Sequence, residues 1–188
     1  MFRYVDYYQE YDRIMQFNKN KKEPIHRWYP FVEGYSKEFI KSIIEEVNKK
    51  DLVCLEPFSG SGTTSLELQH NNIPCYSFEI NPLMYIIAKV KLENDYDLNK
   101  VELWHDFIQT NRTVINADLK TVFSTLYEGD NKEKWNYDKA VGLAVQKLKT
   151  SISLVKEEKY KNLFFVVLSS ILLDVSNLYR NGKCLSYK

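Results

Sequence analysis

The feature that most constrains this chain is the turn Glu56-Pro57-Phe58-Ser59-Gly60-Ser61-Gly62-Thr63-Thr64, which follows directly on the apolar run Leu52-Val53-Cys54-Leu55. A short continuous apolar run of this kind reads as a buried strand. Gly60 and Gly62 at its end can take positive φ and let the backbone approach a ligand closely. A helix then runs to about His70, Asn71-Asn72 breaks it, and Ile73 to Phe78 reads as a second strand. Asn81-Pro82 starts another helix, with Leu83, Ile86, Ile87 and Val90 at helical spacing. The order strand, glycine turn, helix, strand, helix opens a Rossmann-like parallel sheet. The turn is not a P-loop, because no lysine follows Gly62, and it lacks the third glycine of a dinucleotide fingerprint, because Ser65 stands there.

Upstream, residues 1–35 are aromatic and irregular, reading as a short helix followed by a loop from about Asn18 to Gly34. Ser36 is placed to cap a helix whose apolar stripe is Phe39, Ile40, Ile43, Ile44 and Val47, with Lys49 and Lys50 in its last turn. Downstream of Glu93 the spacing is helical throughout: Val101, Trp104 and Ile108; Ile115, Leu119, Val122 and Leu126; Val141, Val145, Leu148, Ile152 and Val155; and a last, more buried helix from Phe164 to Leu178. The fold class expected is therefore α/β, a partial parallel sheet of two recognisable strands followed by a helical subdomain. The expected divisions are 1–35, 36–93 and 94–188.

Composition excludes several classes. With 188 residues, 44% hydrophobic and 27% charged, the chain can build one core of ordinary size. The net charge is +1, but residues 51–128 carry 5 basic against 11 acidic groups, whereas residues 129–188 carry 11 against 6. Any basic surface must come from the ends of the chain. Cys54, Cys75 and Cys184 form neither a CxxC pair nor an even set, which argues against a disulfide scaffold or a cysteine zinc site. With no membrane-length apolar run and no signal-like start, a cytoplasmic protein is expected. His26, His70 and His105 have no metal-ligand spacing, and His26 reads as a packing residue or a backbone partner within its loop. The Lys19, Lys21 and Lys22 run beside Arg27 and Trp28 could touch phosphate, although such runs are usually solvated.

Glu79, 17 residues after Gly62, terminates the second strand, where an acid faces the turn and can accept hydrogen bonds from both hydroxyls of a ribose. With that residue in place, Glu56 to Thr64 resembles the S-adenosylmethionine-binding motif Asp-Pro-Phe-x-Gly-x-Gly-Thr-Thr of amino-group DNA methyltransferases, Glu56 being an acidic swap. Glu79-Ile80-Asn81-Pro82 resembles the family's next motif, and His26 to Ser36 resembles the segment these enzymes place before the glycine turn. Residues 93–188 are only loosely similar, through Val175-Ser176-Asn177-Leu178. The resemblance implies that Glu56, Phe58, Ser59, Gly60, Gly62, Thr63 and Thr64 shape the cofactor cradle and that Glu79 holds the ribose. It also implies that Ile80 packs on the adenine and that Trp28, Tyr29 and Pro30 flank the methionine end.

Methyl transfer to an exocyclic amine needs the base out of the stack, acceptors that orient the amine, and an aromatic face. The family supplies these through an Asp/Asn/Ser-Pro-Pro-aromatic motif. Here the prolines stand at 24, 30, 57, 74 and 82, none adjacent, so that motif is absent. Asn81-Pro82-Leu83-Met84-Tyr85 starts a helix and carries one proline, so it does not substitute. The expectation is the S-adenosylmethionine-binding portion of a site-specific DNA methyltransferase of restriction–modification type, acting on adenine N6 or cytosine N4. The catalytic motif would come from a second chain or a missing C-terminal part, with DNA as partner. A catalytically inert module with the same fold, or an RNA methyltransferase, are the alternatives.

Overall fold

The computed structural model describes residues 6–12, 14–119, 125–129, 133–182 and 184–188. The chain divides into two units, residues 1–94 and 95–188.

The first unit opens with α1 (Tyr8–Tyr11) and two 3₁₀ turns, Phe17–Lys22 and His26–Trp28, followed by α2 (Lys37–Val47). Then come β1 (Cys54–Glu56), α3 (Thr63–His70), β2 (Cys75–Ser77) and α4 (Pro82–Leu92). β1 and β2 are parallel, with Cys54, Leu55 and Glu56 opposite Cys75, Tyr76 and Ser77. The strand–helix–strand order expected from the glycine turn is present, with the two strands parallel. The strands are shorter than the apolar runs suggest, but bonds from Cys54 N–H to Pro74 O, Phe78 N–H to Glu56 O and Ser59 N–H to Phe78 O extend the pairing at both ends.

Local chemistry explains the helix boundaries. Asn81 caps α4 by accepting from the Leu83 and Met84 amides, and Pro82 takes the first helical position. Ser36 does occupy the N-cap position of α2, yet its hydroxyl donates to Ile14 O. The Lys37 amide is accepted instead by Asn20 Oδ1 at 3.0 Å, a cap from the preceding 3₁₀ turn. α2 ends at Val47 because Asn48 turns left-handed at φ 38°, so Lys49 and Lys50 lie beyond its last turn. The buried residues of α4 are Met84, Ile87, Ala88, Val90 and Lys91, so Ile87 and Val90 of the expected stripe are buried, Ile86 is half-buried and Leu83 is exposed, with Met84, Ala88 and Lys91 widening the face. α3 is buried almost throughout, from Thr63 to Leu68.

The expected burial of β1 on both faces is not met. Cys54, Glu56 and Cys75 are half-buried, while Val53, Leu55, Tyr76 and Phe78 are 64, 67, 67 and 62% exposed. Leu55 and Tyr76 are cross-strand partners, so these side chains form one apolar face.

The second unit holds α5 (Leu98–Val114), α6 (Lys139–Ser153), α7 (Glu158–Ile171) and an antiparallel hairpin of β3 (Leu178–Asn181) and β4 (Cys184–Tyr187). Its core is Ile108, Ile152, Val155, Tyr160 and Leu168, with Trp104, Phe107, Leu148 and Phe164 packed against it. The helix expected over Ile115 to Leu126 does not begin where expected: α5 stops at Val114 and residues 115–119 are non-helical, while Val122 lies outside the described residues. The last helix stops at Ile171, and Leu178 opens β3. Cys184 to Tyr187 pairs with β3 across a turn that begins at Gly182, whose φ is 62°. Among the described residues no helix is long and apolar enough to cross a membrane.

Candidate cofactor site

The glycine turn is built by three constraints. Glu56 at the end of β1 accepts from the Phe58 amide at 3.1 Å through Oε1. Gly60 and Gly62 sit at φ 52° and 83°, where a side chain is strained. A Cβ on Gly60 would lie 3.1 Å from the Phe31 ring, and one on Gly62 would lie 3.0 Å from the Ala88 Cβ. The glycines thus admit Phe31 and α4, two protein neighbours, into the turn. Gly62 N–H closes on Ser59 O, and Leu66 N–H on Gly62 O, delivering the chain into α3.

Glu79 meets this turn. Its Oε2 accepts from the Gly60 amide at 2.7 Å and its Oε1 from the Asn81 amide at 2.8 Å. The carboxylate therefore bridges the glycine turn and the start of α4, and each oxygen keeps a further lone pair for an incoming hydroxyl. Phe58 and Ile80 stand at 86 and 97% exposure beside it. Ser59 and Ser61 are buried, and their hydroxyls have no partner among the described groups. Buried hydroxyls are usually hydrogen-bonded, so these two are free to bond a polar ligand entering the turn. A cavity of about 340 Å³ opens beside Ser59 and Glu79 and continues between β2 and α4.

Thr64 is tied to the turn through a residue that the motif reading did not single out. The Tyr35 hydroxyl bonds both Thr64 Oγ1 and Glu56 Oε2, the latter at 3.3 Å. Burial first, and the Glu56 charge as well, push its phenol pKa up, so Tyr35 stays protonated. Its position next to Gly34 and Ser36 was the available signal. Thr63 is buried, Trp28 and Tyr29 are half-buried, and Pro30 is exposed. Tyr29 O accepts from Lys91 Nζ at 3.5 Å, and with Phe31 against Gly60 this lays the upstream segment on α4 and the turn.

His26 is fully buried, as a packing residue would be, but its Nε2 lies 2.8 Å from Glu67 Oε1, so its side-chain partner is a carboxylate on α3 rather than a loop backbone group. Burial works to raise the Glu67 carboxyl, but the His26 bond and charge outweigh it and hold the pKa below the ordinary value. Among the described residues no group of three or more His, Cys, Asp or Glu side chains could hold a metal ion.

Motifs far apart in sequence thus converge on one glycine turn at the C-terminal end of a parallel strand pair, the end at which open α/β sheets bind ligands. The family model of the D12 class N6 adenine-specific DNA methyltransferases matches residues 36–172, and the chain belongs to that family. It is 26% identical over 170 residues to the type II methyltransferase M.MvaI of Kocuria varians, covering 87% of this chain and 37% of that protein. It is 36% identical over 81 residues to M.BsoBI of Geobacillus stearothermophilus, covering 42% of this chain and 16% of that protein. To M.MjaII of Methanocaldococcus jannaschii it is 30% identical over 88 residues, or 45% of this chain and 16% of that protein. The chain therefore spans well under half the length of these relatives. No solved structure matches it.

Proposed function

We propose that this chain is the S-adenosylmethionine-binding part of a DNA methyltransferase that modifies an exocyclic amino group, with adenine N6 favoured by the family's description. One observation carries the reading: the Glu79 carboxylate sits 2.7 Å from the Gly60 amide, joining the two motif regions at one point. The residues fit the cofactor. Glu79 has lone pairs for the two ribose hydroxyls, Ile80 and Phe58 offer exposed apolar faces for the adenine, and the orphaned Ser59 and Ser61 hydroxyls supply donors. Gly60, Gly62, Thr63 and Thr64 shape the cradle, with Glu56 fixing its first bend, and Trp28, Tyr29 and Pro30 flank the methionine end. When bound, the cofactor supplies an electrophilic sulfonium methyl group. The groups that orient the accepting amine are absent from this sequence, since no two prolines adjoin, and the reading assigns them to a second chain or to a further C-terminal part.

Calorimetry tests the reading. Folded chain titrated with S-adenosylmethionine gives saturable heat, and Glu79→Ala weakens binding by about 1–3 kcal/mol, the scale of lost charged hydrogen bonds. Unchanged affinity removes Glu79 from the site, and no heat with the folded chain removes the cofactor reading. The missing Pro-Pro pair specifically favours a second reading, a cofactor-binding module that transfers no methyl group. Incorporation of labelled methyl into DNA, measured for the chain alone and together with the product of the adjacent reading frame, separates the two. Incorporation in the mixture supports a split enzyme; binding without incorporation in either supports the inert module. RNA as competitor separates the RNA-directed alternative.

A further inference from the structure

Two of the three cysteines meet in the first unit, just before the glycine turn. Cys54 of β1 and Cys75 of β2 stand directly opposite each other in the parallel register. Both are free and half-buried. In-register neighbours project from the same face of a sheet. Here that face is the one covered by α3, since Cys75 Sγ lies 3.9 Å from Ser65 Oγ, and the bare side chains of Leu55 and Tyr76 alternate to the other. The two thiols feel each other: burial first, then the neighbouring Cys75 and the Glu56 charge, push the Cys54 thiol pKa up. Strands about 4.8 Å apart bring the two Cα atoms within the roughly 4.4–6.8 Å that a disulfide spans. The Cβ atoms of such neighbours stand about as far apart as the strands and must close to about 3.8 Å for a bond. That strain makes the bond more reducible, the property of a labile disulfide rather than of a scaffold. Cys75 is the thiol that a small oxidant reaches, because it lines a cavity of about 430 Å³ with Ser65 and Ser77.

We infer that Cys54 and Cys75 form a reversible oxidation site, closed by hydrogen peroxide to an intramolecular disulfide that weakens the cofactor turn. The Cys75 thiolate attacks one peroxide oxygen and breaks the O–O bond, leaving a sulfenic acid on Cys75, and the departing hydroxide takes up the proton that Cys75 gave away. The Cys54 sulfur then attacks the Cys75 sulfur and breaks the S–O bond, and its own proton leaves with the hydroxide as a second water. Two thiols and one peroxide become one disulfide and two waters; the sulfurs give up two electrons and the peroxide accepts them. The effect on the turn follows from position. Glu56 lies two residues beyond Cys54 and Glu79 four beyond Cys75, and the Ser59 N–H bond to Phe78 O ties the strand ends together there. Drawing the strands together at 54 and 75 shifts Glu56, which bonds Tyr35 and the Phe58 amide, against Glu79, which holds the Gly60 amide. This effect rests on the reading of the turn as the cofactor site; the bond itself does not.

The test uses the full chain carrying Cys184→Ser, which removes the exposed third thiol. Hydrogen peroxide in small excess should lower its mass by two hydrogens, and glutamate-specific cleavage, which parts the two cysteines at Glu67, should leave their peptides joined. Dithiothreitol should restore both thiols. The oxidised chain should bind S-adenosylmethionine about fivefold more weakly than the reduced one, the scale of one lost hydrogen bond, and recover on reduction. Cys54→Ser and Cys75→Ser, each added singly, should make the affinity indifferent to peroxide; the mass measurement needs neither variant to fold. A folded chain whose Cys54 and Cys75 both still react with iodoacetamide after peroxide overturns the inference. So does a sulfinic acid on Cys75 without joined peptides, or a disulfide between two chains. Joined peptides with unchanged affinity overturn the effect on the turn. A reduced chain that gives no heat with S-adenosylmethionine removes the cofactor reading instead, and joined peptides then still uphold the oxidation site.

Discussion

Gly62 combines two demands that only glycine meets, a φ of 83° and a Cβ position 3.0 Å from Ala88. Gly62→Ala should cost about 1–3 kcal/mol, since left-handed strain and a backbone clash add; a denaturation midpoint shifted by less than a few tenths of that would show that α4 yields instead. The glycines and Glu79 were legible because their chemistry is local: a turn at a strand end needs positive φ, and an acid seventeen positions on ends the next strand. Lys91 was not legible. A lysine in a helix reads as solvent-facing, yet this one is 1% exposed, and burial lowers its ammonium pKa to about 8. Its folded pKa lies below the ordinary value of 10.5, so the unfolded chain binds more protons between the two values and stability rises with pH across that window. The penalty is fully present below about pH 8. Lys91→Met should therefore stabilise the chain at pH 7 by about 1–3 kcal/mol and flatten the alkaline rise, both measurable by thermal melts across pH. A melt that falls at pH 7 would mean that the ammonium's bond to Tyr29 outweighs its desolvation.

At the scale of elements, the upstream segment is held to α3 by a buried pair, His26 with Glu67 at 2.8 Å. The lowered Glu67 pKa means that the folded state keeps its carboxylate charged. This stabilisation is complete above the ordinary value of 4.5 and is lost as pH falls through the lower folded value. Glu67→Gln should cost about 1–3 kcal/mol at neutral pH and remove that part of the acid sensitivity; a variant with the same midpoint at pH 7 and the same acid slope would show the pair to be energetically idle. Sequence periodicity could not reveal this contact, because His26 and Glu67 lie 41 residues apart and neither belongs to a repeating stripe. The same limit explains the α2 cap, where Asn20 replaces the adjacent Ser36. It also explains the non-helical stretch after Val114, whose apolar spacing continues although the helix does not. Spacing reports which face is apolar; whether a helix forms there depends on what that face meets.

At the scale of the whole chain, the two units differ in how far their cores are closed. In the second, Ile108, Ile152, Val155 and Tyr160 are each at most 3% exposed, and all come from residues 95–188. Glu157 ties α5 to the start of α7 by accepting from Trp104 at 3.2 Å and Lys100 at 2.8 Å. In the first, the helices bury one side of the sheet while Leu55 and Tyr76 stand bare on the other. A single strand-length apolar run looks the same in either environment, which is why Leu52 to Leu55 reads as buried on both faces and is not. A closed core folds by itself and an open one binds apolar probes. Residues 95–188 produced alone should therefore show a helical circular dichroism spectrum and one cooperative thermal transition, with little fluorescence from an added naphthalene sulfonate dye. Residues 1–94 should bind the dye strongly, and Leu55→Lys with Tyr76→Lys should remove most of that signal. Equal dye binding by both fragments, or a non-cooperative melt of residues 95–188, would contradict the division of the chain into one closed and one open core.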